Sequence, residues 1–230
     1  MKKTSYSTEI ASAIENFLNE DGWHFMFDEN NGSFVFSLSV AGKLKNISYM
    51  IRIKETGYIV YAISPIGVDK NDKKMMSNMA EFICRANYGL KTGNFEINMD
   101  SGEIQFKFYV PCDDAVPAYA TIGNSIFCPA IMFDEYGPGI VDVIFNNVSG
   151  KDAVEKCEKQ NETESDSVSG GLLDSEFTMT EDDATDELDI CLTKHFGAFD
   201  DNEFDCAYDN TDDGELHIFD PFKTEGGTCE

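Results

Sequence analysis

Between residues 23 and 63 the chain alternates apolar and polar residues with a period of two, run after run. Only extended strands bury one side of such a pattern, because successive side chains of a strand point to opposite faces. Trp23, Phe25 and Phe27 alternate with His24, Met26 and Asp28; Phe34, Phe36, Leu38 and Val40 alternate with Val35, Ser37 and Ser39. Ile47, Tyr49, Ile51 and Ile53 face away from Ser48, Met50, Arg52 and Lys54, and residues 58–63 supply a fourth strand. Asn30-Asn31-Gly32, Ala41-Gly42-Lys43 and Glu55-Thr56-Gly57 separate the runs. Asn-Gly between alternating strands predicts a type I′ hairpin, whose central residues both need positive φ. The result is an antiparallel meander, apolar on one face and solvated on the other, and the apolar face requires a cover.

Helices are the expected cover. Ile10, Ile14, Phe17 and Leu18 at helical spacing predict a first helix over 8–20, with Ser7 or Thr8 as cap and Gly22 just past its end. Met75, Met79, Phe82, Ile83 and Ala86 form the stripe of a second helix over 70–88, capped by Asp69 or Asn71 and stopped by Gly89. Two more strands, 94–99 and 103–110, are joined by Asp100-Ser101-Gly102. A last helical region covers 116–147, where Pro129 and Gly137-Pro138-Gly139 are expected to bend or interrupt it. The order is helix, four strands, helix, two strands, bent helix: an α+β domain built on a mostly antiparallel sheet.

Charge divides the chain in two. Residues 1–150 hold 12 Lys and Arg against 18 Asp and Glu, whereas 151–230 hold 5 against 25. The reading is a folded domain over 1–150 and an acidic tail over 151–230, with 151–192 too polar to bury much surface and expected to be disordered. Phe196, Phe199, Phe204, Tyr208, Phe219 and Phe222 return among the acids further on, and 180–192 is a candidate transient helix. A solubilising role accounts for this composition more simply than a docking motif.

The net charge of −26 argues against nucleic acid and anionic membranes as partners, since phosphates are neutralised by clustered Lys and Arg. Basic partners or cations are the electrostatically sensible targets. The absence of a long apolar run, and an opening Met1-Lys2-Lys3 with no apolar stretch behind it, predict a cytoplasmic protein with no membrane span. Seven scattered cysteines without a Cys-x-x-Cys pair suit reduced thiols.

Chemistry-bearing motifs are sparse. Asp209, Thr211, Asp213, Gly214 and Asp220 fall at positions 1, 3, 5, 6 and 12 of a calcium-loop pattern, but Asp220 replaces the bidentate Glu and Pro221 leaves no exiting helix, so a polar turn explains the segment better. The three histidines are His24, read as a surface residue of the sheet, His195 and His217. Cys84, beside Ile83, reads as a small buried apolar residue, and neither it nor Cys128 has an evident activating partner. Gly137-Pro138-Gly139 lacks the lysine of a phosphate loop. Met75, Met76 and Met79 read as core before they read as an adaptable binding surface. No catalytic residue, cofactor site or firm metal site is expected.

The element order, with Asn87-Tyr88-Gly89 closing the second helix, Gly93-Asn94-Phe95-Glu96 opening a strand and Tyr136-Gly137-Pro138-Gly139-Ile140 in the last helix, resembles the bacterial YbjN-like proteins over residues 8–148. Their fold is similar to that of the type III secretion chaperones, and members are described as sensory, regulatory or chaperone-like. The resemblance implies a protein-binding module without catalysis, and it implies homodimerisation. It supplies no active site, and the acidic extension departs from it. A regulatory module that senses a small ligand or cation is the alternative.

Overall fold

The computed structural model describes residues 6–20, 22–113 and 115–166, with side chains up to residue 159. Its elements are α1 (Thr8–Glu20), β1 (Met26–Asp28), β2 (Ser33–Ser39), β3 (Asn46–Ile53), β4 (Gly57–Ile63), α2 (Lys73–Tyr88), β5 (Asn94–Ile97), β6 (Ile104–Pro111), α3 (Tyr119–Phe145) and α4 (Gly150–Asp166). The six strands form one antiparallel sheet in the order β1-β2-β3-β4-β6-β5, so the expected α+β class holds.

Alternation sorts the strands as expected. Phe34, Phe36, Leu38, Ile47, Tyr49, Ile51, Tyr58, Val60 and Phe106 are buried on one face, where α3 packs across β4 and β6 and α2 packs on β5. Two tyrosines fasten sheet to helix: the Tyr49 hydroxyl donates to the Ile126 carbonyl at 3.0 Å, and the Tyr58 hydroxyl shares a hydrogen with Ser125 Oγ at 3.0 Å. Burial raises both phenols above the ordinary tyrosine value, so each stays a neutral hydrogen-bonding group.

Four local expectations need correction. The β1–β2 turn is not type I′: Gly32 alone has positive φ (69°), because the Asp28 carboxylate accepts from the Asn30 N–H and from the Asn30 and Asn31 side-chain amides and so fixes a wider four-residue loop. A Cβ at Gly32 would also lie 2.5 Å from the Tyr6 ring. The cap of α2 is Asp72, which accepts from the Lys74 and Met75 N–H groups, while Asp69 closes its own small turn onto Asn71. Gly89 stops α2 where expected, and it does so in a right-handed conformation (φ −93°).

The third helix is uninterrupted from Tyr119 to Phe145 with Pro129 and Pro138 inside it. Each interior proline removes a backbone hydrogen bond. The burial of Ile126, Phe133 and Ile140 against α1, α2, α4 and the sheet offsets that loss. Gly139 is a point of close approach, since a Cβ there would lie 2.4 Å from Phe82 on α2.

The fourth correction is the boundary at 150. Residues 151–166, expected in the disordered part of the tail, belong to α4, which packs on α2 and α3 with Ala153, Val154 and Cys157 buried. A low average hydropathy hid a narrow stripe of three small apolar residues on one helical face. Ser149 caps the helix, accepting from the Asp152 N–H and donating to the Asp152 carboxylate, and Glu155 pairs with Lys151 and Lys159 one turn to either side.

Candidate functional site

One face of the sheet is covered by α2 and α3, and the opposite face has no partner element among the described residues. Register places Met26, Val35, Met50, Tyr61, Lys107 and Asn94 in one row across all six strands. Ser33, Arg52, Ile59 and Tyr109 form the row on one side, and Ser37, Ser48, Ile63, Gln105 and Glu96 the row on the other. Val35, Met50, Ile59, Tyr61 and Ile63 are half-buried, Met26 is 37% exposed and Tyr109 is 53% exposed. An apolar centre with a polar surround is the composition of an interaction surface.

The polar groups of this face are organised. Glu96 accepts from Lys107 Nζ at 2.6 Å, from Gln105 Nε2 at 2.8 Å and from Asn94 Nδ2 at 3.2 Å. Partial burial alone would raise the Glu96 pKa, but the Lys107 ammonium and the two amides outweigh it and hold the carboxyl below the usual glutamate range. The network closes on itself at the β5–β6 side, leaving the apolar row over β2, β3 and β4 as the accessible part. Ser33 Oγ is buried with no hydrogen-bond partner among the described residues.

The two sheet edges are built differently. At the β5 edge the carboxamide of Asn87, in the last turn of α2, accepts from the Phe95 N–H at 2.8 Å and donates to the Phe95 carbonyl at 2.9 Å. That side chain takes the place of a neighbouring strand and seals the edge. β1 pairs with β2 alone, and no described element occupies its other side.

The single buried carboxylate among the described residues belongs to Asp142 on α3, whose side chain is 4% exposed. It accepts from Lys156 Nζ of α4 and from Asn146 Nδ2 at 2.8 Å, and Lys43 of the β2–β3 loop stands 4.0 Å away. The Lys156 hydrogen bond is the main cause of an Asp142 pKa held below the ordinary aspartate value. This cluster binds α3, α4 and a sheet loop together, and its donors are used within the fold. The shallow groove along α4 lined by Asp152, Glu155, Lys156 and Lys159 lies on one helix face, where those charges pair with their own neighbours.

Each residue singled out from sequence has a place. His24 is exposed at the start of the β1 segment. Cys84 is exposed on α2, contrary to the buried position expected, because the buried stripe of that helix passes through Met76, Met79, Phe82, Ile83 and Ala86 and leaves residue 84 on the far side. Met76 and Met79 are core and Met75 is half-buried, which agrees with their reading as core. Burial pushes the Cys128 thiol up to about 11 and also raises Cys112 and Cys157. Among the described residues no group of His, Cys, Asp and Glu converges to hold a metal ion, and no helix is long and apolar enough to cross a membrane. Asp209, Thr211, Asp213, Gly214 and Asp220, with His195, His217, the aromatic residues from Phe196 to Phe222 and the 180–192 segment, lie outside the described residues.

Sequence reasoning missed the Asn87 clamp, the Asp142 cluster and the Ser149 cap. The last had a local signal in Ser149-Gly150-Lys151-Asp152, an acid three residues after a serine. The first two join residues that only the tertiary fold brings together. Comparison of the chain with protein-family models, with curated proteins and with solved structures finds no match.

Proposed function

We propose that this domain binds another polypeptide, without a catalytic step, through the uncovered face of its sheet. The observation that carries the reading is the contrast between faces: α2 and α3 cover one side, while the other keeps Val35, Met50, Ile59, Tyr61 and Ile63 half-exposed in adjacent rows. The order of elements up to α3 is the one on which the resemblance to YbjN-like and secretion chaperone-like proteins rests, which supports a chaperone-like mode of binding. A partner segment laid on this face would gain by removing apolar area from water, at about 25 cal/mol per Å².

Site-specific photo-crosslinking tests the proposal. A photoreactive phenylalanine analogue at Tyr61 is expected to trap a protein partner in cell extract, and the same residue at Tyr88, 96% exposed at the end of α2 beside the sealed β5 edge, is not. Equal trapping from both positions, or none from Tyr61, would overturn it.

A further inference from the structure

The unsealed edge of the sheet has a composition that selects its occupant. Burial alternates from residue 23 to residue 28, so Trp23, Phe25 and Phe27 lie half-buried on the helix side and His24, Met26 and Asp28 are exposed on the other. Phe27 stacks on Phe34 at 4.3 Å and meets Tyr6 edge-on at 6.2 Å, Phe25 meets Phe34 edge-on at 5.5 Å, and Trp23 meets Phe36 at 5.2 Å and Phe127 at 5.8 Å, so the three rings line the β1 margin of the aromatic layer and stay partly exposed there. Every second residue of an edge strand also presents its N–H and C=O outward.

Charge distinguishes this margin from the rest of the domain. Residues 4–42 hold six carboxylates and no Lys or Arg, whereas residues 43–166 hold thirteen Lys and Arg against eighteen Asp and Glu. The acids of α1, β1 and their loops thus stand without cations among them, whereas elsewhere in the folded part acids and bases are mixed. Glu9, Glu15 and Glu20 are exposed on α1, and Asp28 and Glu29 are exposed where β1 ends.

We propose that the β1 edge accepts an added strand from a partner in which apolar residues alternate with Lys or Arg. The apolar residues would extend the layer of Trp23, Phe25 and Phe27, the basic ones would lie beside Asp28 and the neighbouring carboxylates, and backbone hydrogen bonds would continue the sheet. A second copy of this chain fits the edge poorly, since it would bring like carboxylates against like. This proposal rests on the polypeptide-binding reading and adds the chemistry of the partner and the element that receives it.

The test uses the full chain and three seven-residue peptides: alternating Val and Lys, the same peptide N-methylated at alternate amides, and alternating Val and Glu. The readout is amide hydrogen exchange resolved at residues 24–28. The Val–Lys peptide is expected to slow exchange there at least tenfold, with little effect from the N-methylated and Val–Glu peptides. The N-methylated peptide keeps the charge, so it separates strand pairing from general attraction to an acidic chain. No slowing by Val–Lys overturns the proposal. Equal slowing by the N-methylated peptide overturns strand addition, and equal slowing by Val–Glu overturns the basic partner. If Tyr61 still traps a partner in any of those cases, the binding reading stands and only the edge assignment falls; if it traps none, both fall.

Discussion

Tyr58 and Tyr61 lie three residues apart on β4 with opposite surroundings. Tyr58 is fully buried with its hydroxyl held by Ser125 of α3, while Tyr61 lies half-exposed between Met50 and Lys107 on the far face. Burial on the first face is closed by helices; on the second it stops halfway. Side chains of similar size therefore do different work on the two faces: those under α3 hold the fold together, and those opposite leave apolar surface available. The edges repeat the lesson, one sealed by Asn87 and the other without a paired strand among the described residues.

Substitutions can break or sharpen this contrast. The largest expected effect is on the covered face: Phe106→Ala, at a fully buried ring that packs edge-on against Phe95, should cost about 3–5 kcal/mol in urea unfolding. Removing α4 comes next. A chain ending at 149 should be less stable than one ending at 166 by about 3–4 kcal/mol, mostly from uncovering the surface that Val154, Ala153 and Cys157 bury. Equal stability would show that the domain does end near 150.

Asp142→Asn should cost about 2 kcal/mol, since it weakens charge-assisted hydrogen bonds to a lysine that is itself half-exposed. The same carboxylate sets a pH dependence. Its folded pKa lies below the unfolded one, so its contribution is complete above the ordinary aspartate value of about 4 and is lost as pH falls through the lower folded value. Wild type should therefore lose more stability than Asp142→Asn between about pH 5 and pH 2. Parallel loss in the two would remove Asp142 from the account.

Smaller again is Asn87→Ala, which should cost about 1–2 kcal/mol by leaving the Phe95 N–H and carbonyl without their partner. It should also raise concentration-dependent self-association in light scattering, because the sheet would then have two unsealed edges. Its stability alone changing, with no association, would mean that the clamp serves α2 rather than the edge.

The strands were legible because alternation is a local property: Ile47 to Ile53 and Phe34 to Val40 sort onto the faces that their spacing predicts. Turn and cap details were less so, since several polar residues compete for each role; Asp28 outweighs Asn31-Gly32 in the first hairpin, and Asp72 outweighs Asp69 at α2. The helix α4 escaped because an average over a polar segment conceals three buried positions. The candidate face could be read in outline as the polar side of a meander. Its apolar centre could not, because Met50, Ile59 and Tyr61 come together only through the register of β3 and β4.

The most direct test of the central claim measures unfolding and partner capture together for Phe106→Ala and Tyr61→Ala. The account predicts that Phe106→Ala loses several kcal/mol of stability, whereas Tyr61→Ala stays within about 1 kcal/mol of wild type and loses most of its capture of the partner trapped at that face. A Tyr61→Ala protein as destabilised as Phe106→Ala, or one that captures its partner at full strength, would contradict the division of labour between the two faces.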